Sequence, residues 1–216
     1  MDLPDDYLFV PFQVRLDSQM LMYSPWIRDM QHLFTVTTEA WRTALAERRY
    51  KLVFKLHPSC KQAYPELQAA VAREAGLIFA NGNSTEELIR RALGVITVNS
   101  TVGVESLLLD RPVLSLGQAC YGIPGVTSTA RSVEGISKWL DSLVTGKLPA
   151  ATHREAFLQY LANEYCIPEH HKAPSQAHFS AIARRLSDAS RLVPISETLG
   201  SETAAQNEEE SEFAAA

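Results

Sequence analysis

GVITVNSTVGVESLLLDRPVLSLGQACYGIPGVT, residues 94–127, reads as a buried strand, a sharp corner, a helix and a second buried strand. Residues 94–98 form a short apolar run bounded by turn formers, as a parallel strand covered on both faces requires. Asn99, Ser100 and Thr101 then open a helix whose apolar face is expected to be Val102, Leu107 and Leu108. Residues 112–116 form the next strand. A helix that starts at the carboxyl end of a parallel strand points unpaired N–H groups into the crevice there, and its dipole favours an anion. Ser100 and Thr101 add hydroxyls, and Gly103 permits close approach by backbone or ligand. The same three residues also suit a helix cap that needs no ligand.

The alternation extends outward from this stretch. Tyr7–Phe12 (YLFVPF) is a first strand, followed by a polar loop, QVRLDSQMLMY, over 13–23. Ser24-Pro25 has the form of a helix start, with Ser as cap and Pro at the first position. The helix stripe runs through Ile27, Met30, Phe34, Trp41 and Leu45, with irregularity expected at Thr35, Val36, Thr37 and Thr38, which are weak helix formers. Lys51–Leu56 is a second strand, Pro65–Ala75 a helix stopped by Gly76, and Leu77–Ala80 a third strand. Ser84 and Glu87 make a capping box for a helix over 85–93. Five strands alternating with helices over 7–117 predict an α/β fold, a Rossmann-like doubly wound parallel sheet. Beyond a turn-rich segment over 118–129, helices are expected at 133–144, 152–165 and 174–192, the last with Phe179, Ile182, Ala183 and Leu186 on one stripe. One domain over 7–192 is therefore expected, with a disordered acidic tail over 195–216.

Composition narrows the function classes. The 216-residue chain has a formal charge of -5, but the last 22 residues hold six Glu and no Lys, Arg or Asp. Without them, 20 basic face 19 acidic side chains, so nothing points to nucleic acid. Cys60, Cys120 and Cys166 are scattered and odd in number, with neither metal-ligand spacing nor a disulfide framework, which points to a reducing compartment. There is no signal-peptide pattern and no apolar run long enough to span a bilayer. Gly-x-Gly-x-x-Gly, Walker, Cys-x-x-Cys and Gly-x-Ser-x-Gly patterns are all missing from the sequence.

The candidate site residues cluster at the predicted carboxyl edge. His57-Pro58 ends the second strand, where the ring can donate to a phosphate and the proline sets the chain direction. Gln13, Arg15 and Asp17 follow the first strand, and Arg15 would suit an anion as a bidentate fork. Asn99, Ser100 and Thr101 form the corner. Glu105, one helical turn on, can accept from ribose hydroxyls, and Tyr121 on the last loop can stack or hydrogen-bond. Each also has an ordinary structural role available: solvated loop, helix-surface charge or buried His.

The ordered set PFQVRLDSQ, KLHP and VNSTVGVESLLLDRPVLSLGQACYGIPGVT resembles the capsule polysaccharide synthesis family of bacterial β-Kdo glycosyltransferases over about residues 7–165. The resemblance implies the carboxyl-terminal, donor-binding half of a two-domain GT-B architecture. It further implies transfer of 3-deoxy-manno-octulosonic acid (Kdo) from CMP-Kdo, with retention, to a phospholipid capsule anchor at the cytoplasmic face of the inner membrane. His57, Ser100 and Thr101 would hold the donor phosphate, stabilising the leaving CMP without a metal or other cofactor. The family's amino-terminal acceptor domain, which carries its proposed carboxylate nucleophile, is expected from a missing segment or partner chain. No nucleophile is therefore assigned here. Two other readings fit: a non-catalytic nucleotide-sugar-binding module, and a different GT-B-like enzyme acting on UDP-sugars.

Overall fold

Strand β1 (Tyr7–Pro11) is buried over all five residues and lies in the middle of the sheet. Its side chains alternate between two cores, as the period of a strand dictates. Leu8 and Val10 face one cluster, and Tyr7 and Phe9 the other. The computed structural model describes residues 2–14, 17–44, 50–60, 63–148, 152–167, 169 and 172–189. After β1 come α1 (Ser18–Tyr23), α2 (Met30–Thr43), β2 (Lys51–Lys55), α3 (Pro65–Arg73), β3 (Leu77–Phe79), α4 (Thr85–Arg91), β4 (Gly94–Thr97) and α5 (Val102–Leu108). Then follow β5 (Val113–Ser115), β6 (Ser128–Thr129), α6 (Val133–Thr145) and α7 (Arg154–Tyr160).

The six strands run in the order β3-β2-β1-β4-β5-β6, and every pairing is parallel. This is the strand order of the Rossmann fold, so the predicted fold class holds. Helices α2, α3 and α6 supply Leu33, Trp41, Leu67 and Leu140 to the core on one face. Helix α4 covers the other with Leu88 and Ile89, and Val102 of α5 packs beside them. Each fully buried aliphatic or aromatic side chain contributes about 1.5–3 kcal/mol. Apolar runs without polar alternation, such as GVIT in β4, follow from burial on both faces.

Several boundaries differ from expectation. Ser24-Pro25 does not start a helix: Ser24 Oγ donates to Ile27 O at 2.5 Å, and the Trp26 indole donates to Leu116 O at 2.7 Å. Asp29 is the cap of α2 instead, its carboxylate accepting from His32 N–H at 2.8 Å. The polar loop over 13–23 contains a helix, α1, capped by Asp17, which accepts from Gln19 N–H at 3.0 Å. The expected irregularity in α2 is absent, since Thr35 and Thr37 donate to the carbonyls of Gln31 and Leu33 and the helix runs on. Leu45 lies outside the described residues. A sixth strand, β6, occupies part of the segment read as turns. Leu108 is exposed, and Leu107 rather than Leu108 packs inward.

The chain forms two compact units, Met1–Gln159 and Tyr160–Ala216. The described part of the second holds a π-helical turn (Leu161–Tyr165), where a continuous helix was expected, and α8 (Gln176–Ala189). Arg185 Nη2 donates to Cys166 O at 3.2 Å within this unit. The expected acidic tail over 195–216 lies outside the described residues.

Candidate functional site

The strand order reverses between β1 and β4, and ligands of such sheets bind at the carboxyl ends of the strands beside that switch. Register brings the candidate residues level there. Pro11 pairs with Lys55, so Gln13 and His57, each two residues further on, leave adjacent strands at the same height. Phe9 pairs with Val95, which puts Asn99 opposite Gln13.

Gln13 and Asn99 meet in a two-sided amide clamp. Gln13 Nε2 donates to Asn99 Oδ1 at 2.9 Å, and Asn99 N–H donates to Gln13 Oε1 at 3.1 Å. Asn99 Nδ2 donates to Gln19 O at 2.8 Å and Tyr23 O at 3.2 Å, tying α1 to the corner. Both residues are buried. The clamp makes them buried supports of the corner.

Ser100 and Thr101 follow Asn99 and are more exposed than it. Ser100 Oγ accepts from Val102 N–H at 3.2 Å and, being a hydroxyl, keeps its own proton to donate. Thr101 is exposed, and its side chain makes no cap bond, so only Ser100 acts in the capping expected of the corner. The site thus presents two hydroxyls at the start of a short helix.

Tyr121 is not a stacking platform. It is 1% exposed, and its hydroxyl donates to Ser100 O at 2.6 Å. Gly103 makes room for the ring, since a Cβ there would lie 2.3 Å from Tyr121 Cζ. Burial raises the phenol pKa above its ordinary value, which keeps the proton on the oxygen to donate. Thr127 Oγ1 in turn donates to Tyr121 O at 2.7 Å and holds the loop.

His57, two residues beyond the end of β2, is half-buried, its Nδ1 accepting from Ser59 N–H at 3.1 Å. That bond puts the proton of the neutral ring on Nε2, which becomes a donor. Pro58 is exposed in the same turn. Asp17 is engaged as the α1 cap, Glu105 is exposed on α5, and Arg15 lies outside the described residues.

Two basic residues escaped the sequence reading. Lys55 Nζ donates to Asn81 O at 2.9 Å and Asn83 O at 2.7 Å, fixing the β3–α4 connection to the end of β2. Burial lowers its pKa. Arg131 donates through Nη2 to Gly117 O and through Nη1 to Ala130 O, both at 3.0 Å, and pins the carboxyl end of β5. Burial lowers its pKa too. A Lys closing a strand was a readable signal for the first; Arg131 follows β6, which carries no apolar pattern. Beside the corner, α1 exposes Leu21, Met22 and Tyr23. Among the described residues, no helix is long and apolar enough to cross a membrane.

A family model described as capsule polysaccharide biosynthesis protein matches residues 3–169. The chain belongs to the capsule polysaccharide biosynthesis family. Among its relatives, Protein FixF of Sinorhizobium fredii is 34% identical over 192 residues, covering 89% of this chain and 45% of FixF. The capsule polysaccharide export protein KpsS of Escherichia coli is 29% identical over 132 residues, covering 58% of this chain and 33% of KpsS. The chain spans less than half the length of these relatives. Among solved structures, KpsC of Thermosulfurimonas dismutans, a β-Kdo 2,7 transferase, aligns with a TM-score of 0.46 and 20% identity over 63% of this chain and 45% of that one.

Proposed function

We propose that this member of the capsule polysaccharide biosynthesis family is the donor-binding half of a GT-B glycosyltransferase that uses CMP-Kdo. The observation that carries the proposal is the Gln13–Asn99 clamp at the switch point, which ties the end of β1 to the corner bearing Ser100 and Thr101; by strand register His57 leaves β2 level with Gln13. The Ser100 and Thr101 hydroxyls and His57 Nε2–H are the donors for the CMP phosphate. In transfer, the bond between the Kdo anomeric carbon and the phosphate oxygen breaks, and its electron pair stays on that oxygen. Donors held in place before reaction stabilise the charge that develops there. The acceptor hydroxyl oxygen bonds to the anomeric carbon and its proton passes to solvent water, so that the products are CMP, the Kdo glycoside and one released proton. The acceptor is a phospholipid at the cytoplasmic face of the inner membrane, presented by a second domain or a partner chain. Family membership and the ordered corner, His-Pro and loop motifs support this reading.

Thermal denaturation with CMP, UMP and UDP tests it. CMP at a hundred times its Kd should add about 2.7 kcal/mol of stability, and the uridine nucleotides less. Absent or equal shifts would remove the cytidine reading, and a larger UDP shift would favour a UDP-sugar enzyme. Transfer to lipid should require the acceptor half, fused or in trans. Robust transfer by the 216-residue chain alone would refute the division of labour.

A further inference from the structure

Arg131 extends the row of residues that defines the candidate site. Lys55 pairs with Pro11, Phe9 with Val95, Thr97 with Ser115 and Ser115 with Thr129. Two residues further on, His57, Gln13, Asn99, Gly117 and Arg131 leave five adjacent strands at one height. The guanidinium reaches back toward the corner. Nη2 donates to Gly117 O at 3.0 Å, and Nη1 to Ala130 O at 3.0 Å and Ser115 O at 3.4 Å. Gly117 N–H in turn donates to Val98 O at 2.7 Å, one residue before Asn99. The positive charge therefore lies at the end of β5, one strand spacing of about 4.8 Å from the strand that opens into Ser100 and Thr101.

Capping strand-end carbonyls is an ordinary task for an arginine, and it occupies both Nη1 protons and one on Nη2. Nε–H and the second Nη2 proton have no acceptor, and no carboxylate pairs with Arg131, among the described residues. Arg131 is exposed. Nε–H and Nη2–H lie along one edge of the planar guanidinium, the fork that fits a carboxylate.

We propose that Arg131 receives the carboxylate of the donor sugar, so that the crevice selects nucleotide-linked ulosonic acids over nucleotide-linked neutral sugars. This assignment rests on the CMP-Kdo reading above. In CMP-Kdo the carboxylate and the phosphate oxygen are bonded to the same anomeric carbon, so the two anions need neighbouring donors. The Ser100 and Thr101 hydroxyls serve the phosphate, and Arg131 serves the carboxylate one strand away. Lys55 is less well placed. It ends β2, two strands from β4, and commits two of its three protons to Asn81 O and Asn83 O.

Calorimetric titration of the full chain with CMP, CMP-Kdo and a CMP-Kdo analogue whose carboxylate is replaced by a neutral carboxamide tests the assignment. The unaltered chain should bind CMP-Kdo about tenfold or more tightly than the carboxamide, as a charge-assisted pair requires. Arg131→Met should bring acid and amide within about twofold of each other while CMP affinity stays in place. A purely structural arginine would instead weaken all three ligands alike. Arg131→Gln repeats the comparison if the methionine variant does not fold. Equal binding of acid and amide by the unaltered chain, or a preference for the acid that survives loss of the guanidinium, would overturn the assignment and leave cytidine binding standing. Absence of CMP binding by the unaltered chain would remove the nucleotide reading, and this assignment with it.

Discussion

Gln13→Met is the sharpest test of how the corner is held. Methionine keeps most of the glutamine volume but removes both amide functions, so packing is largely retained while two buried hydrogen bonds are lost. Asn99 N–H and Asn99 Oδ1 are then orphaned, because Gln13 is their partner at 3.1 and 2.9 Å. Each unsatisfied buried group costs about 1–3 kcal/mol, so the substitution should cost about 3 kcal/mol after local relaxation. With a urea m-value of about 2 kcal/mol/M, that lowers the unfolding midpoint by about 1.5 M. Asn99→Ala should cost at least as much, because it also frees the carbonyls of Gln19 and Tyr23. The double variant should be less destabilised than the sum of the two, with a coupling of about 0.5–3 kcal/mol. Glu105→Gln, on the exposed face of α5, is the control and should stay within about 0.5 kcal/mol. A Gln13→Met midpoint indistinguishable from this control, or strict additivity with Asn99→Ala, would refute the clamp.

Ser100→Ala combined with Thr101→Ala should weaken CMP binding by about 1.5–3 kcal/mol per lost charge-assisted bond, measured by calorimetric titration; unaltered CMP affinity would count against these hydroxyls as phosphate donors. Gly103→Ala puts a methyl 2.3 Å from Tyr121 Cζ and should destabilise by about 1–3 kcal/mol in urea, whereas the same change at Gly82, with nothing within 4 Å, should not. Tyr7 is buried, donates to Leu88 O at 2.8 Å, and has its pKa raised to about 12 by burial. A raised folded-state pKa gives stability that is intact below pH 10 and lost as pH climbs toward 12, so the urea midpoint should fall over that window. Tyr7→Phe should cost about 1 kcal/mol at neutral pH and flatten the decline; an unchanged decline would place the titrating group elsewhere.

The parallel sheet was legible because burial on both faces leaves its mark in every long strand, from YLFVP to GVIT. What escaped is what this signal does not cover. Strand β6 is two residues, Ser128 and Thr129, neither of them apolar. The start of α2 was misplaced because Ser24-Pro25 has the local form of a helix start, while the Trp26 indole, bonded to Leu116 ninety residues away, holds that segment as a turn. Helix α1 has only Met20 buried, too little for a periodic stripe, although the Asp17 cap was readable.

For the candidate site, strand register brings Gln13, His57 and Asn99 level as the sequence predicts, but the sequence does not separate their roles. A polar residue at a strand's carboxyl end is equally consistent with touching a ligand and with holding the corner, and only long-range pairing separates the two. Gln13 and Asn99 are 86 residues apart, Tyr121 and Ser100 are 21 apart, and each of these four residues finds a partner inside the fold. Under the proposed function, the Ser100 and Thr101 hydroxyls and His57 Nε2–H would be the donors, with the frame of Gln13–Asn99 and Tyr121–Ser100 bonds behind the corner. Such a frame lowers the conformational entropy lost on binding, because the donors are ordered when the chain folds rather than when the ligand arrives. Substitutions at Gln13, Asn99 or Tyr121 should therefore reduce stability and affinity together, whereas those at Thr101 or His57 should reduce affinity at nearly constant stability. Ser100 belongs to both groups, through its carbonyl and its hydroxyl, so its side-chain substitution should resemble the second.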